Sequence, residues 1–164
     1  MSEAIKNIDI HSKSTRLIIK LGILIVYLVI LSYGLFFADS FGRSLEHGSY
    51  NLEPMREIKR TFKYADSLGW EFVALNLIGN ILVFMPFGFI TVSFLPEGDK
   101  RHPLWITGLC MLFSFLVEVL QYMTGVGTAD IDDVILNTIG GFLGYMFYFL
   151  YLRTIKGNYK DNTI

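Results

Sequence analysis

Four long apolar stretches constrain this chain more than any other feature. They cover residues 17–37, 72–95, 104–123 and 131–152, and each reaches the ~20 residues that a helix needs to cross a bilayer. Hydrophobic residues make up 52% of the chain and the mean hydropathy is +0.46, which is too apolar for an ordinary soluble domain. The sequence therefore predicts an all-α integral membrane bundle of four transmembrane helices.

The polar segments divide the chain into a membrane domain and two tails. We expect one transmembrane domain over residues 17–152, a loosely ordered tail over 1–16 and a basic, polar tail over 153–164. Residues 96–103 form a tight polar connection between the second and third stretches. Pro86 interrupts the second stretch and removes one backbone donor there, which predicts a kink.

The longest loop, residues 38–70, contains a short helical pattern over 54–65. Five of its twelve residues are charged, and its apolar residues recur at helical spacing, which predicts an amphipathic helix. The apolar stripe consists of Met55, Ile58, Phe62 and Ala65. Such a helix can lie on the membrane surface or pack on the other spans, and the sequence does not separate these alternatives.

Lysine and arginine counts predict the orientation. The two tails, the start of the first stretch and the second connection carry nine of these residues, whereas the 38–70 loop carries five. Cytoplasmic segments are the richer in lysine and arginine, so both termini are expected in the cytoplasm. Residues 38–70 and 124–130 are then expected outside, and the polar residues of the last three spans fall in the outer half of the bilayer.

The start of the fourth stretch is unusually acidic. Asp130, Asp132 and Asp133 precede a long uncharged run that contains Asn137. Acidic residues are favoured at helix starts, so Asp130 as the cap residue and Asp133 three positions later resemble a capping box. Capping needs one or two acids rather than three, which leaves room for a functional role.

Other polar residues share helix faces within the apolar stretches. Asn76 and Asn80 are four residues apart, and Ser114, Glu118 and Gln121 follow at spacings of four and three. Glu118 is the strongest functional candidate, because the second to fourth stretches contain no arginine or lysine to pair with it. The candidate site residues are Asn76, Asn80, Ser114, Glu118, Gln121, Asp130, Asp132, Asp133 and Asn137.

A weak internal repeat relates the second and fourth spans. Residues 73–85 match 134–146 at seven of thirteen positions. The repeat predicts that the two helices enter the membrane in the same direction and present Asn76 and Asn137 equivalently. Helical spacing and shared depth predict that these spans adjoin and that both asparagines share one buried cluster with Glu118. In the fourth span, the spacing of two glycines predicts close helix contact; these are Gly140 and Gly144.

The chemistry of these side chains leaves several uses open. Carboxylates and amides can bind hydroxyl and ammonium groups or hold a hard cation through oxygen ligands. A desolvated carboxylate can also act as a general acid or base, for which Glu118 and Asp133 are the candidates. The bland alternative is that the polar groups only join one helix to another.

Several classes are not expected. The three histidines are scattered away from the acidic stretch, so we predict no metal centre, and no cofactor motif is present. A net charge of −1 gives no reason to expect a nucleic-acid partner. Cys110, the single cysteine, excludes an internal disulfide.

These residues, in this order and spacing, resemble the VanZ-like family. The matching segments are 51–54, 76–88 and 130–140, together with Ser114, Glu118 and Gln121. Many members carry an arginine shortly before the aspartates, where this chain has Gly127. The resemblance implies a small multi-pass protein of the bacterial cell membrane. The best-known members lower susceptibility to teicoplanin-type lipoglycopeptides without an altered peptidoglycan terminus.

Three functions remain open at this point. In the first, an outward-facing acidic and amide site binds membrane lipids or a lipid-linked cell-wall precursor and alters antibiotic access. In the second, Glu118 and the aspartates at 130–133 act as an enzyme that modifies such a lipid. In the third, the polar residues only pack helices and function lies in contacts with partners.

Overall fold

The structure, a computed structural model, describes residues 2–36, 50–95 and 102–161. The 38–49 part of the first loop and residues 96–101 of the predicted tight connection lie outside the described residues. In chain order the elements are α1 (Ser2–Phe36), β1 (Tyr50–Asn51), α2 (Arg56–Lys63), α3 (Ala65–Leu68), α4 (Trp70–Phe94), α5 (Pro103–Thr124), β2 (Ala129–Asp130) and α6 (Ile131–Asp161).

The predicted all-α bundle of four spans is confirmed. Four of the described helices are long and apolar enough to cross a membrane, and each agrees with a predicted stretch to within a few residues. α4 continues as one helix through Pro86. The spans are Lys13–Phe36, Trp70–Phe94, Pro103–Thr124 and Ile131–Thr154.

The prediction of a loosely ordered N-terminal tail is wrong. α1 is helical from Ser2, well before its membrane span begins at Lys13. This segment contains no glycine or proline, and extending an existing helix costs far less than starting one. The helix of the span therefore continues into the polar tail.

α4 and α6 run parallel and pack closely through glycines. A Cβ atom on Gly140 or Gly144 would overlap the backbone carbonyl oxygen of Ile81 or Met85, respectively. Gly88 of α4 faces the backbone of α6 in the same way. The predicted adjacency of the second and fourth spans and the role of the two glycines in α6 are thus confirmed.

α1 lies at the edge of the bundle, against α4. Its Tyr27 hydroxyl donates to the Val83 carbonyl, in the turn before Pro86. Its Lys20 ammonium donates to the Ser93 carbonyl at the C-terminal end of α4, where a cation is favoured by the helix dipole.

The loop elements lie across one end of the bundle. The helical pattern predicted over 54–65 is found as α2 and α3, but α2 starts only at Arg56 because Met55 adopts a left-handed backbone with φ 68°. Strand β1 pairs in parallel with β2, placing Asn51 beside Asp130. We call the end where α4 and α6 begin and α5 ends the site end.

Candidate functional site

The nine candidate residues all belong to the site end, on the first turns of α4 and α6, the last turns of α5, and β2. This clustering follows from the topology, because α4 and α6 begin at the end where α5 stops. Six of them are buried or nearly so. The buried ones are Ser114, Glu118, Gln121, Asp130, Asp132 and Asn137.

Asp130 caps α6, as the capping interpretation predicts. Its Oδ1 accepts a hydrogen bond from the Asp132 backbone N–H at 2.8 Å and another from Asn51 Nδ2 at 2.9 Å. Its own backbone N–H donates to Glu118 Oε2 at 3.1 Å. Glu118, on a different helix, therefore takes the bond that the third residue of a capping box would accept.

Asp132 caps a second helix, α2, from a distant part of the chain. Only 1% of Asp132 is exposed, and its Oδ2 accepts from the backbone N–H groups of Glu57 at 2.8 Å and Ile58 at 3.2 Å. Its Oδ1 accepts from the N–H of Met55, the N-cap residue of α2, whose own side chain makes no cap bond. One carboxylate thus satisfies three donors at the start of α2 and holds that helix on the site end.

Two side-chain hydrogen bonds, each donated by an asparagine amide, join neighbouring helices close to these caps. Asn80 donates from Nδ2 to Asp133 Oδ1, which ties α4 to α6. Asn137 donates from Nδ2 to Ser114 Oγ at 2.9 Å, which ties α6 to α5, and its Oδ1 is a buried acceptor with no hydrogen-bond partner among the described residues. These bonds are of the helix-joining kind expected for polar groups in spans.

Gln121 makes a further contact, to α1. Its Nε2 donates to the Leu35 carbonyl at 3.0 Å, close to the C-terminal end of that helix. Since the last carbonyl groups of a helix lack intrahelical donors, this bond stabilises the end of α1 on the bundle.

An open cleft of about 530 Å³ lies between α2 and the bundle at the site end. Its walls combine carboxylates and amides with an arginine and several apolar or aromatic side chains. The lining residues contributed by the candidate set are Asn76, Gln121, Asp130, Asp132 and Asp133. Those from the loop helices and from neighbouring positions are Glu57, Ile58, Arg60, Thr61, Tyr64, Ser67, Phe72, Leu77, Gly127, Thr128 and Leu136.

The predicted cluster of Asn76, Asn137 and Glu118 is wrong for Asn76. Asn76 is exposed and lines the cleft, whereas Asn137 is buried against Ser114. The repeat does not make the two helices equivalent, because packing sets the rotation of each helix separately. Glu118, with 5% of its surface exposed, is not among the described residues that line the cleft.

The electrostatics of the cleft are mixed. Burial raises the pKa of the Asp130 carboxyl, and the hydrogen bonds from Asp132 N–H and Asn51 oppose that shift. Arg60 contributes a largely exposed guanidinium, which pairs with Glu57 at 3.3 Å. No set of three or more histidine, cysteine, aspartate or glutamate side chains suited to hold a metal ion occurs in the part of the chain that the structure describes.

Sequence reasoning missed the contribution of the first loop. Asn51 binds Asp130, and although the segment 51–54 carries part of the family resemblance, Asn51 is not among the candidate site residues. Glu57, Thr61 and Tyr64 line the cleft at spacings of four and three, which a helical projection of the loop would have placed on one face. Their position against the acidic stretch depends on tertiary contacts alone.

The chain is 32% identical over 95 residues to Protein VanZ of Enterococcus faecium, an alignment that covers 54% of this chain and 53% of that protein. The chain thus aligns with about half the length of this curated relative. No solved structure matches the chain significantly. The model of the VanZ/LLP1 family matches residues 24–152, which include the second half of the first span, nearly all of the other three spans and the whole of the cleft, and the chain therefore belongs to the VanZ/LLP1 family.

Proposed function

We propose that the cleft at the site end binds the polar headgroup of a cell-envelope lipid or of a lipid-linked cell-wall precursor. Through this binding the protein alters the access of teicoplanin-type lipoglycopeptides to the cell surface and lowers susceptibility to them. The observation that carries the proposal is an open cleft of about 530 Å³, lined by polar and apolar side chains together, at one end of a four-span bundle.

The size and lining of the cleft suit a headgroup. Ligand pockets generally span roughly 300–1,000 Å³ and combine apolar walls with a few placed polar groups. Asn76 and Asp133 offer amide and carboxylate groups that bind hydroxyls and amides, and Arg60 offers a donor fork that suits a phosphate. A headgroup that carries a phosphate could bind Arg60 on the α2 side of the cleft, and its hydroxyl or amide groups could bind Asn76 and Asp133 on the bundle side.

The position of the cleft suits a ligand that keeps its acyl chains in the bilayer. Phe72 and Leu136, from the first turns of two spans, line it on the bundle side. A polar headgroup can enter at this level while the chains of the lipid stay beside the spans.

Binding is favoured over catalysis because the buried carboxylates already accept hydrogen bonds from backbone N–H groups. Both oxygens of Asp132 accept backbone N–H groups, and Glu118 accepts the backbone N–H of Asp130. A general acid or base needs to reach the bond that reacts, and Glu118 lies behind the cleft lining. Asp133 does line the cleft, but its Oδ1 already accepts a hydrogen bond from the Asn80 amide.

Native mass spectrometry of the protein extracted with its own lipids tests the proposal. Asn76→Phe fills the cleft, and Leu75→Phe places the same side chain at a neighbouring position that is 50% exposed and outside the cleft lining. We expect the parent and Leu75→Phe to retain one lipid class well above its share of the membrane. Asn76→Phe should lose that class and, in a host that shows the phenotype, the effect on lipoglycopeptide susceptibility.

Two results would overturn the proposal. One is retention of lipids by the parent in the same proportions as in the bulk membrane. The other is an equal lipid pattern and equal susceptibility for Asn76→Phe and Leu75→Phe at equal expression.

A further inference from the structure

α2 carries its cations on a single face. Four basic residues recur at helical spacing along it, and all four are exposed. They are Arg56, Lys59, Arg60 and Lys63. We call these four residues the basic stripe. Among the residues that the structure describes, Arg60 of the basic stripe forms an ion pair, with Glu57. Most of the positive charge of the stripe therefore faces outward.

The residues on the other faces of α2 show which side of the helix faces the cleft and which side faces away from it. Thr61 and Tyr64 turn to the cleft, and Ala65, which follows the helix, is buried with 2% exposed. On the flank away from the cleft, Met55 and Phe62 are seven residues apart and are 44% and 52% exposed. A helix with one basic face and one exposed apolar flank has the composition of an interfacial amphipathic helix.

A tryptophan places this flank at the level of the lipid headgroups. Trp70 is the first residue of the α4 span and is 64% exposed. Its ring meets that of Phe62 edge-on, with 6.5 Å between centroids. Tryptophan at the end of a span favours the membrane–water boundary, so the apolar flank of α2 continues the lipid-facing surface of the bundle.

We propose that α2 is an interfacial helix that binds the headgroups of anionic glycerophospholipids. Arg56, Lys59 and Lys63 contact lipid phosphates, while Phe62 and Trp70 lie in the boundary region beneath them. The charge of the stripe matches an anionic surface, and its apolar flank is continuous with the spans, which favours lipid over a protein partner. This inference does not depend on what the cleft binds.

Trp70 provides a direct reporter for the test. Trp105→Phe removes the only other tryptophan, which is 73% exposed near the start of α5, at the opposite end of the bundle. The full-length variant is reconstituted in vesicles of phosphatidylcholine alone or of phosphatidylcholine with phosphatidylglycerol. Brominated acyl chains, placed on one lipid at a time, quench Trp70 in proportion to the local share of that lipid.

We expect brominated phosphatidylglycerol to quench Trp70 more strongly than brominated phosphatidylcholine at the same mole fraction. Each cation near an anionic surface favours contact with the anionic lipid roughly fivefold, so three should give a clear preference that weakens with added salt. Replacing Arg56, Lys59 and Lys63 by glutamine together should bring the ratio of the two quenching constants to about one, the no-preference limit.

The control variant removes three cations from the other end of the bundle, by Lys13→Gln, Arg16→Gln and Arg153→Gln, and should keep the preference. Equal quenching by the two lipids in the parent would overturn the proposal. So would an unchanged preference in the α2 variant. If a protein partner or a second copy covers this surface, neither brominated lipid will quench Trp70, which also contradicts the proposal.

Discussion

At the scale of single residues, the buried carboxylates of this protein serve as acceptors for backbone donors. Glu118 accepts from Asp130, Asp130 accepts from Asp132, and Asp132 accepts from the start of α2. The result is a continuous series of hydrogen bonds through α5, β2, α6 and α2. A carboxylate at this depth is costly unless it is satisfied, and backbone N–H groups supply partners where the described spans offer few cations.

Glu118→Gln should leave the protein folded and its lipid pattern unchanged. The amide oxygen of glutamine can accept the Asp130 N–H, and the side chain lies behind the cleft. We expect a change in unfolding free energy within about 1 kcal/mol, against a loss of about 1–3 kcal/mol for Glu118→Ala, which removes the acceptor. Thermal unfolding in detergent measures both. Normal folding of Glu118→Gln with loss of the lipid pattern or of the susceptibility effect would instead assign a function to the ionisable group.

Asp130→Asn should remove a pH dependence of stability. Because burial raises the folded-state pKa of Asp130, the folded protein binds more protons than the unfolded chain between the ordinary and the raised pKa. Stability therefore falls as pH rises through that window, just above the ordinary aspartate pKa. Both bonds to Asp130 use Oδ1, so the asparagine oxygen can accept them.

The measurement is the melting temperature of parent and Asp130→Asn over a pH series in one detergent. The parent should lose stability relative to the variant as the pH rises through that window. Asp66→Asn, which changes an exposed acid of α3, is the control and should follow the parent. A parent-to-variant difference that stays constant with pH would contradict the assignment.

At the scale of elements, the contact between α4 and α6 was predictable but the faces they present were not. The spacing of Gly140 and Gly144 predicts a close approach, and the structure has it. The two asparagines related by the repeat differ, since Asn76 lines the cleft and Asn137 is buried. Sequence periodicity defines which residues share a face of one helix. It does not define the rotation of that helix against its neighbours, which depends on packing.

Gly88→Ala should destabilise the bundle, whereas Gly79→Ala should not. The new methyl group at position 88 would overlap the backbone of Gly141, while a Cβ at Gly79 meets nothing within 4 Å. We expect a loss of about 1–3 kcal/mol for Gly88→Ala, because the obstacle is backbone that cannot move aside. The yield of monodisperse protein and its melting temperature measure the effect. Equal behaviour of the two variants would show that α4 and α6 do not approach closely at this point.

At the scale of the whole molecule, local signals predicted the spans and the end where the site lies. Hydropathy defines the spans because bilayer thickness sets their length, and polar residues at one depth define the site end. The closure of the site was not predictable, because it depends on Asp132 capping α2 and on Asn51 pairing with Asp130, across about half the chain. Local patterns in a single sequence do not predict which distant residues form such contacts.

The orientation of the molecule decides whether the cleft faces the outside, and the nine-to-five bias of lysine and arginine predicts that it does. Ser67 is exposed in α3 at the site end, and Thr154 is exposed at the opposite end of the fourth span. The native Cys110 is buried and should stay unreactive. With a membrane-impermeant maleimide, Ser67→Cys should be labelled in intact cells and Thr154→Cys only after permeabilisation. The reverse pattern would place the cleft on the cytoplasmic side, where binding could not alter the access of a lipoglycopeptide to the cell surface.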